Sequence, residues 1–161
     1  MPLILGLDPS LTSTGWGVVR ADGSRLIHIA NGEVKTDAKA PMVKRLSHLH
    51  TAIEAVIAQY SPDRGACEEV FVNKNPQSTL KLAQARGAVL AACGASGLAV
   101  NEHAARLVKK SVVGTGGADK KQVQAMLKVL LPSAKVTGAD AADALAVAIA
   151  DAHLSGAPTS R

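Results

Sequence analysis

A short, nearly continuous apolar run, Leu3, Ile4, Leu5 and Leu7, stops on Asp8 and Pro9. A run of that length bounded by a turn signal fits a strand buried on both faces, the kind found inside an α/β sheet. Such a strand carries its last residue to the edge of the core on a rigid support. An acid there is costly to desolvate unless something offsets it. The same tension recurs at Glu68 in GACEEVF, and at Asp140 and Asp143 in GADAADALAVAIA. A shared cation would relieve all four.

Spacing supports convergence. Asp140 and Asp143 are three apart in an Ala-rich stretch that reads as a helix, so their side chains share one face. Hard divalent ions take carboxylate oxygens and keep several waters, so acids drawn from different elements suit magnesium or manganese. The chemistry that follows is hydrolysis of phosphate esters, with paired metals serving the attacking and leaving oxygens. Taken singly, the acids have plainer readings. Asp8 before Pro9 is a common turn opening, and Asp140 near a helix start can satisfy exposed amides. Asp143 lies a turn further in, and Ala144 to Ala150 contains no other charge.

The rest of the chain reads as an α/β domain. Gly15 to Val19 and Leu26 to Val34 are expected strands joined through Ala21-Asp22-Gly23-Ser24. Met42, Leu46, Leu49, Ile53, Val56, Ile57 and Tyr60 recur at helical spacing after Pro41. A strand over Ala66 to Val72 carries Glu68, and Asn75 with Pro76 suits the cap and first position of a helix running to about Gly94. Its small residues, Ala83, Gly87 and Ala91 among them, let another backbone come close. A strand over Leu98 to Asn101 follows, then helices around Ala104 to Lys109, Lys120 to Leu131 and Ala139 to Leu154. Residues 1–154 read as one domain and 155–161 as a polar, disordered tail.

Charge bears on the partner. The net charge of +5 permits a polyanion. Lys74, Lys81 and Arg86 flank the second acidic motif, and Arg106, Lys109, Lys110, Lys120 and Lys121 form another basic region. Cations bracketing a metal site suit phosphate anchoring better than an ordinary solvated face. Cys67 and Cys93 lack metal-ligand spacing and have apolar neighbours, as reduced thiols of a cytoplasmic protein do. No stretch is apolar for long enough to span a bilayer, so no membrane partner is expected. Gly114-Thr115-Gly116-Gly117 lacks the ending of a P-loop and reads as a turn. His48 and His50 do not share a helix face, and His103 and His153 default to surface or capping roles.

Four ordered motifs, LILGLDPSLTSTGWGVV, EEVFVNKNPQSTLKLAQARG, VNEHAARLVKKSVVGTGGADKKQVQ and DAADALAVAIADAH, resemble the RuvC family of crossover-junction endonucleases over about Leu3 to His153. The resemblance implies a ribonuclease H-like fold, a mixed five-stranded sheet flanked by helices. It implies that Asp8, Glu68, Asp140 and Asp143 are the metal-binding catalytic acids. Two magnesium ions per site are expected, with manganese a substitute. It further implies that Phe71 contacts the junction and that Lys109 and Lys120 face DNA near the scissile phosphate. The implied reaction is symmetric nicking of Holliday junction DNA by a homodimer in recombination and repair, leaving 5′-phosphate and 3′-hydroxyl ends. RuvA and RuvB, the branch-migration complex, are the implied partners.

The sequence departs from the family pattern in two places. Ser10 follows Pro9 where glycine is usual, so the loop must form without glycine's access to positive φ. Glu69 follows Glu68, and strand alternation lets only one of them join Asp8. Two alternatives stand beside the nuclease. Ile4 to Val19 also resembles the first phosphate motif of the actin and hexokinase group of ATP-binding proteins, which need two such domains where 161 residues suffice for one. A non-catalytic junction-binding module is the other, and four intact acids weigh against it.

Overall fold

The computed structural model describes residues 1–69 and 74–155. Its centre is a five-stranded sheet in the order β3-β2-β1-β4-β5. Strands β1 (Leu3–Asp8), β2 (Ser13–Asp22) and β3 (Arg25–Lys35) form an antiparallel meander. Gly23 supplies the positive φ for the tight β2–β3 turn. Strands β4 (Arg64–Glu68) and β5 (Val100–His103) add in parallel on the other side of β1. The apolar run therefore occupies the middle of the sheet, with Ile4, Leu5 and Leu7 fully buried.

Each face of the sheet is covered. Helix α1 (Met42–Tyr60) packs its Leu49, Ile53, Val56 and Ile57 stripe with α2 (Pro76–Ala95) onto one face, around Leu5, Leu7 and Val18. Helices α3 (Ala105–Val113), α4 (Lys120–Leu130) and α5 (Ala139–Ser155) cover the other, around Ile4 and Val19. The Asn75 side chain accepts from the backbone N–H groups of Gln77 and Ser78, with Pro76 at the first turn of α2. Asp119 and Gln122 cap each other across the start of α4.

Several boundaries differ from the sequence reading: β2 runs over Ser13–Asp22 rather than Gly15 to Val19, β4 starts at Arg64 rather than Ala66, and β5 ends at His103 rather than Asn101. The last strand begins at Val100, not Leu98, because the N–H of Leu98 turns back to the carbonyl of Cys93 through Gly97 in the left-handed region. Helix α3 continues past Lys109 to Val113, since Val108 and Val112 both bury on the α5 side. Gly114, at φ 96°, then ends it as its N–H meets the Lys110 carbonyl. The end of the expected Ala66 to Val72 strand, Phe71 included, lies outside the described residues, as do residues 156–161. Among the described residues no helix is long and apolar enough to cross a membrane.

Candidate active site

Asp8 is the last residue of the central strand and pairs across the sheet with Gly15 of β2. On the other side, Leu7 aligns with Cys67, so the next step of β4 brings Glu68 beside Asp8. Helix α5 crosses this strand pair at very short range. A Cβ on Gly15 would lie 1.9 Å from the carbonyl oxygen of Asp140, and one on Gly6 would lie 2.0 Å from that of Ala144. Gly17 likewise leaves room for Leu145. Three glycines, two of them facing each other across β1 and β2, thus form the seat that sets the helix carrying Asp140 and Asp143 against the strand carrying Asp8.

The result is a tight cluster. Carboxylate oxygens of Asp8, Asp140 and Asp143 lie within 4.8 Å of one another, all three side chains half-buried. Glu68, Asp8 and Asp143 line a cavity of about 220 Å³ together with Lys109 from α3 and Lys120 from α4. Lys120 Nζ lies 3.4 Å from Asp143 Oδ2. Burial, followed by the negative charges of Asp143, Asp140 and Glu68, pushes Asp8 up to about 7, with Lys120 opposing. Glu68 is raised by burial and by Asp143, and Asp143 by burial against the pull of Lys120. A set of hard oxygen donors that cannot all ionise comfortably beside one another fits a divalent cation.

Both ends of α5 are fixed by polar side chains that the motifs did not reveal. Asn31 of β3 donates through Nδ2 to the Lys135 carbonyl at 2.9 Å, and its Oδ1 accepts from the N–H and hydroxyl of Thr137 at 2.8 and 2.7 Å. Two residues on, Glu33 accepts from the Ser13 hydroxyl and presses against Gly138, where a Cβ would lie 1.9 Å from its Oε1. Asn31 and Glu33 share a strand face, and together they hold the segment from which α5 and Asp140 start. The signal available in the sequence was a polar Asn-Gly-Glu inside an otherwise strand-like run.

At the far end, Asp151 is fully buried, and its carboxylate accepts from Arg64 Nε at 2.6 Å and Asn101 Nδ2 at 3.0 Å. His103 Nε2 lies 2.7 Å from Asp151 Oδ1, so that nitrogen carries the proton. Burial resists ionisation of Asp151, but the bonds from Arg64, His103 and Asn101 outweigh it and hold the carboxyl below its ordinary value. His103 thus ties β5 to α5, and His153 Nδ1 meets the Ser111 carbonyl at 3.0 Å. His103 exceeds the surface or capping role expected from sequence, whereas His153 takes a capping one, on a carbonyl in the last turn of α3.

A family model for crossover junction endodeoxyribonuclease RuvC matches residues 4–151. The chain belongs to the RuvC family. A crossover junction endodeoxyribonuclease RuvC of Erythrobacter litoralis is 79% identical over 154 residues, 96% of this chain and 94% of that protein. One from Sphingopyxis alaskensis is 66% identical over 94% of this chain and 97% of the relative. The structure of T. thermophilus RuvC in complex with Holliday junction substrate superposes with a TM-score of 0.90 at 29% identity, covering 96% of this chain and 95% of that one. The fold is therefore ribonuclease H-like, with the mixed five-stranded sheet expected.

The two departures from the RuvC pattern have structural answers. Among the described residues Ser61 is the one non-glycine at positive φ, so Ser10 needs no glycine-like conformation. The buried Thr14 hydroxyl closes the loop instead, donating to the Ser10 carbonyl at 2.6 Å and accepting from its N–H at 3.1 Å. Of the two adjacent glutamates, Glu68 faces the cavity, while Glu69 is exposed and its N–H bonds the His103 carbonyl.

The expected DNA-facing cations are unequal in position. Lys109 and Lys120 line the cavity, and Lys74 and Lys81 are exposed at the start of α2. Arg86 is engaged within the protein: its guanidinium pairs with Glu102 and donates to the Glu68 carbonyl at 3.3 Å.

Proposed function

We propose that this protein resolves Holliday junctions by metal-dependent phosphodiester hydrolysis, acting as a homodimer that places two symmetric nicks. The observation that carries the reading is the convergence of Asp8, Asp140 and Asp143, with oxygens within 4.8 Å, in a site whose cavity also holds Glu68, Lys109 and Lys120. Asp8, Glu68, Asp140 and Asp143 would hold two magnesium ions, with manganese a substitute. Bound there, the metals would supply an activated water and neutralise the leaving oxygen.

The protein's own groups do the rest. Lys120 is kept charged by Asp143, and with Lys109 it holds the scissile phosphate and offsets charge developing on it. Strand β1 and the glycine-seated α5 fix the acids before substrate arrives. No side chain serves as nucleophile: water attacks the phosphorus and the P–O3′ bond breaks, leaving the ligatable 5′-phosphate and 3′-hydroxyl ends that the family resemblance implies. Lys74 and Lys81 contact the backbone of the junction arms, and Phe71 stacks on a base near the junction centre. Arg86 serves DNA binding through the position it gives Glu68.

A four-way junction presents two equivalent strands to one site per chain, which calls for two-fold symmetry. The exposed face of α2 suits that axis. Leu80 is 59% exposed, Ala83, Gly87, Ala91 and Gly94 follow it at helical spacing, and open space lies over Gly87 and Gly94. Residues 1–154 act as one nuclease domain in the cytoplasm, alongside the branch-migration proteins RuvA and RuvB.

The test is incubation with a synthetic four-way junction and a matched linear duplex, with and without magnesium. Paired nicks in the junction, dependent on the metal and absent from the duplex, are expected. Metal-independent cutting, or equal cutting of both substrates, refutes the reading; binding without cutting would select the non-catalytic module.

A further inference from the structure

A second cationic cleft opens at the same edge of the sheet as the acids, at the other end of the meander. It occupies about 280 Å³ between the end of β3 and the first turns of α1, lined by Lys35, Thr36, Asp37, Lys44, Arg45 and His48. Three of these are constitutive cations and one is an acid. Asp37 is turned onto its own loop, its Oδ1 accepting from the Lys39 N–H at 2.9 Å. Among the described residues no carboxylate pairs with Lys35, Lys44 or Arg45. Three unpaired positive charges gathered round one concavity are mutually repulsive and are relieved by an anion.

The cleft is tied to the active-site loop. The Thr36 hydroxyl donates to the Leu11 carbonyl at 2.5 Å, and the Thr36 N–H to that of Thr12 at 3.3 Å, so the cleft floor is fastened to the turn that follows Asp8. Arg45 Nε in turn donates to Thr36 Oγ1 at 2.9 Å, which orients the guanidinium along the cleft wall. Register gives the separation. Glu33 pairs with Gly15, which pairs with Asp8, so β3 lies two strands from Asp8, roughly 10 Å sideways. Lys35 lies two residues further along the strand, about 7 Å beyond the level of Asp8. A DNA strand advances about 3.4 Å of axis per phosphate. The two offsets combine to roughly 12 Å, so the cleft is a few nucleotides from the acids.

Resting on the nuclease reading above, we infer that Lys35, Lys44 and Arg45 form a backbone-phosphate subsite that grips a duplex arm of the junction a few nucleotides from the cut. The ligand is a phosphodiester, held by charge and a pre-set guanidinium, with no reading of base sequence. Its function is to fix the arm relative to Asp8 through Thr36, so that the scissile phosphate is offered to the acids in register.

The experiment compares wild type with the double variant Lys35→Gln/Lys44→Gln and with a control, Arg20→Gln/Arg25→Gln, at the opposite edge of the sheet. Junction Kd is measured with calcium in place of magnesium over a range of salt, and cleavage with magnesium at saturating protein. The cleft variant should bind about tenfold more weakly near physiological salt and lose about 2 from the slope of log Kd against log salt, because two phosphate contacts are gone. Its cleavage rate at saturation should fall as well, because the scissile phosphate is no longer held in register, and the control should keep the wild-type slope and rate. Unchanged affinity and slope in the cleft variant, or an equal loss in the control, overturns the subsite. A wild type that neither binds nor cuts junctions overturns the nuclease reading itself, and the subsite with it.

Discussion

Asp8 concentrates the physics of the site, because one side chain meets burial and three neighbouring acids. Its folded value of about 7 lies above the ordinary 3.8, so the folded protein holds a proton that the unfolded chain has released. The stability this gives is present below about pH 4 and is lost as pH rises through about 7. In chelator, the melting temperature should therefore fall between pH 5 and pH 8, and Asp8→Asn should fall much less. Magnesium should restore the wild type at pH 8 more than the variant. A wild-type melting temperature that rises over that range, or an equal fall in Asp8→Asn, contradicts the account. Asp151 runs the other way. Its depressed value gives stability present above the ordinary range and lost as acid protonates it, and Asp151→Ala strands Arg64 and His103. Such a loss should be about 3 to 5 kcal/mol in chemical denaturation; a loss below 1 kcal/mol would show the network to be idle.

Elements matter here chiefly through what they let α5 do. The apolar run and the Ala-rich helix were legible because each obeys one periodicity, and the i,i+3 spacing alone puts both acids of α5 on one face. The seat was not legible. Gly6, Gly15 and Gly17 look like weak strand residues in sequence, and the close approach of α5 gives them a purpose only in three dimensions. Asn31 was missed for the same reason, since its partners at Lys135 and Thr137 are more than a hundred residues away. The pairing of the Arg86 guanidinium with Glu102 and the Glu68 carbonyl was equally out of reach, since these partners are 16 and 18 residues away. Because Asn31 supports the start of α5, Asn31→Ala should raise the magnesium needed for half-maximal cleavage about tenfold, as loss of an outer-shell support does. Junction affinity in calcium should stay near wild type. A lowered melting temperature with an unchanged magnesium requirement would reduce Asn31 to a structural residue.

At the scale of the whole molecule, the sheet sends Asp8, Glu68, the start of α5 and the Lys35–Arg45 cleft to one edge, while α2 leaves an apolar face open to one side. If that face forms the two-fold axis, Ala91→Arg should give a monomer in sedimentation with little junction cleavage. A fully active monomeric wild type would sink the dimer. The claim on which everything else depends is that the converging carboxylates act in chemistry and not in binding. Asp143→Asn keeps the shape of the site and removes one charge, so the decisive measurement is junction affinity in calcium beside single-turnover cleavage in magnesium for that variant. Affinity equal to or tighter than wild type, with cleavage lower by orders of magnitude, is the predicted result; cleavage near the wild-type rate would contradict the account.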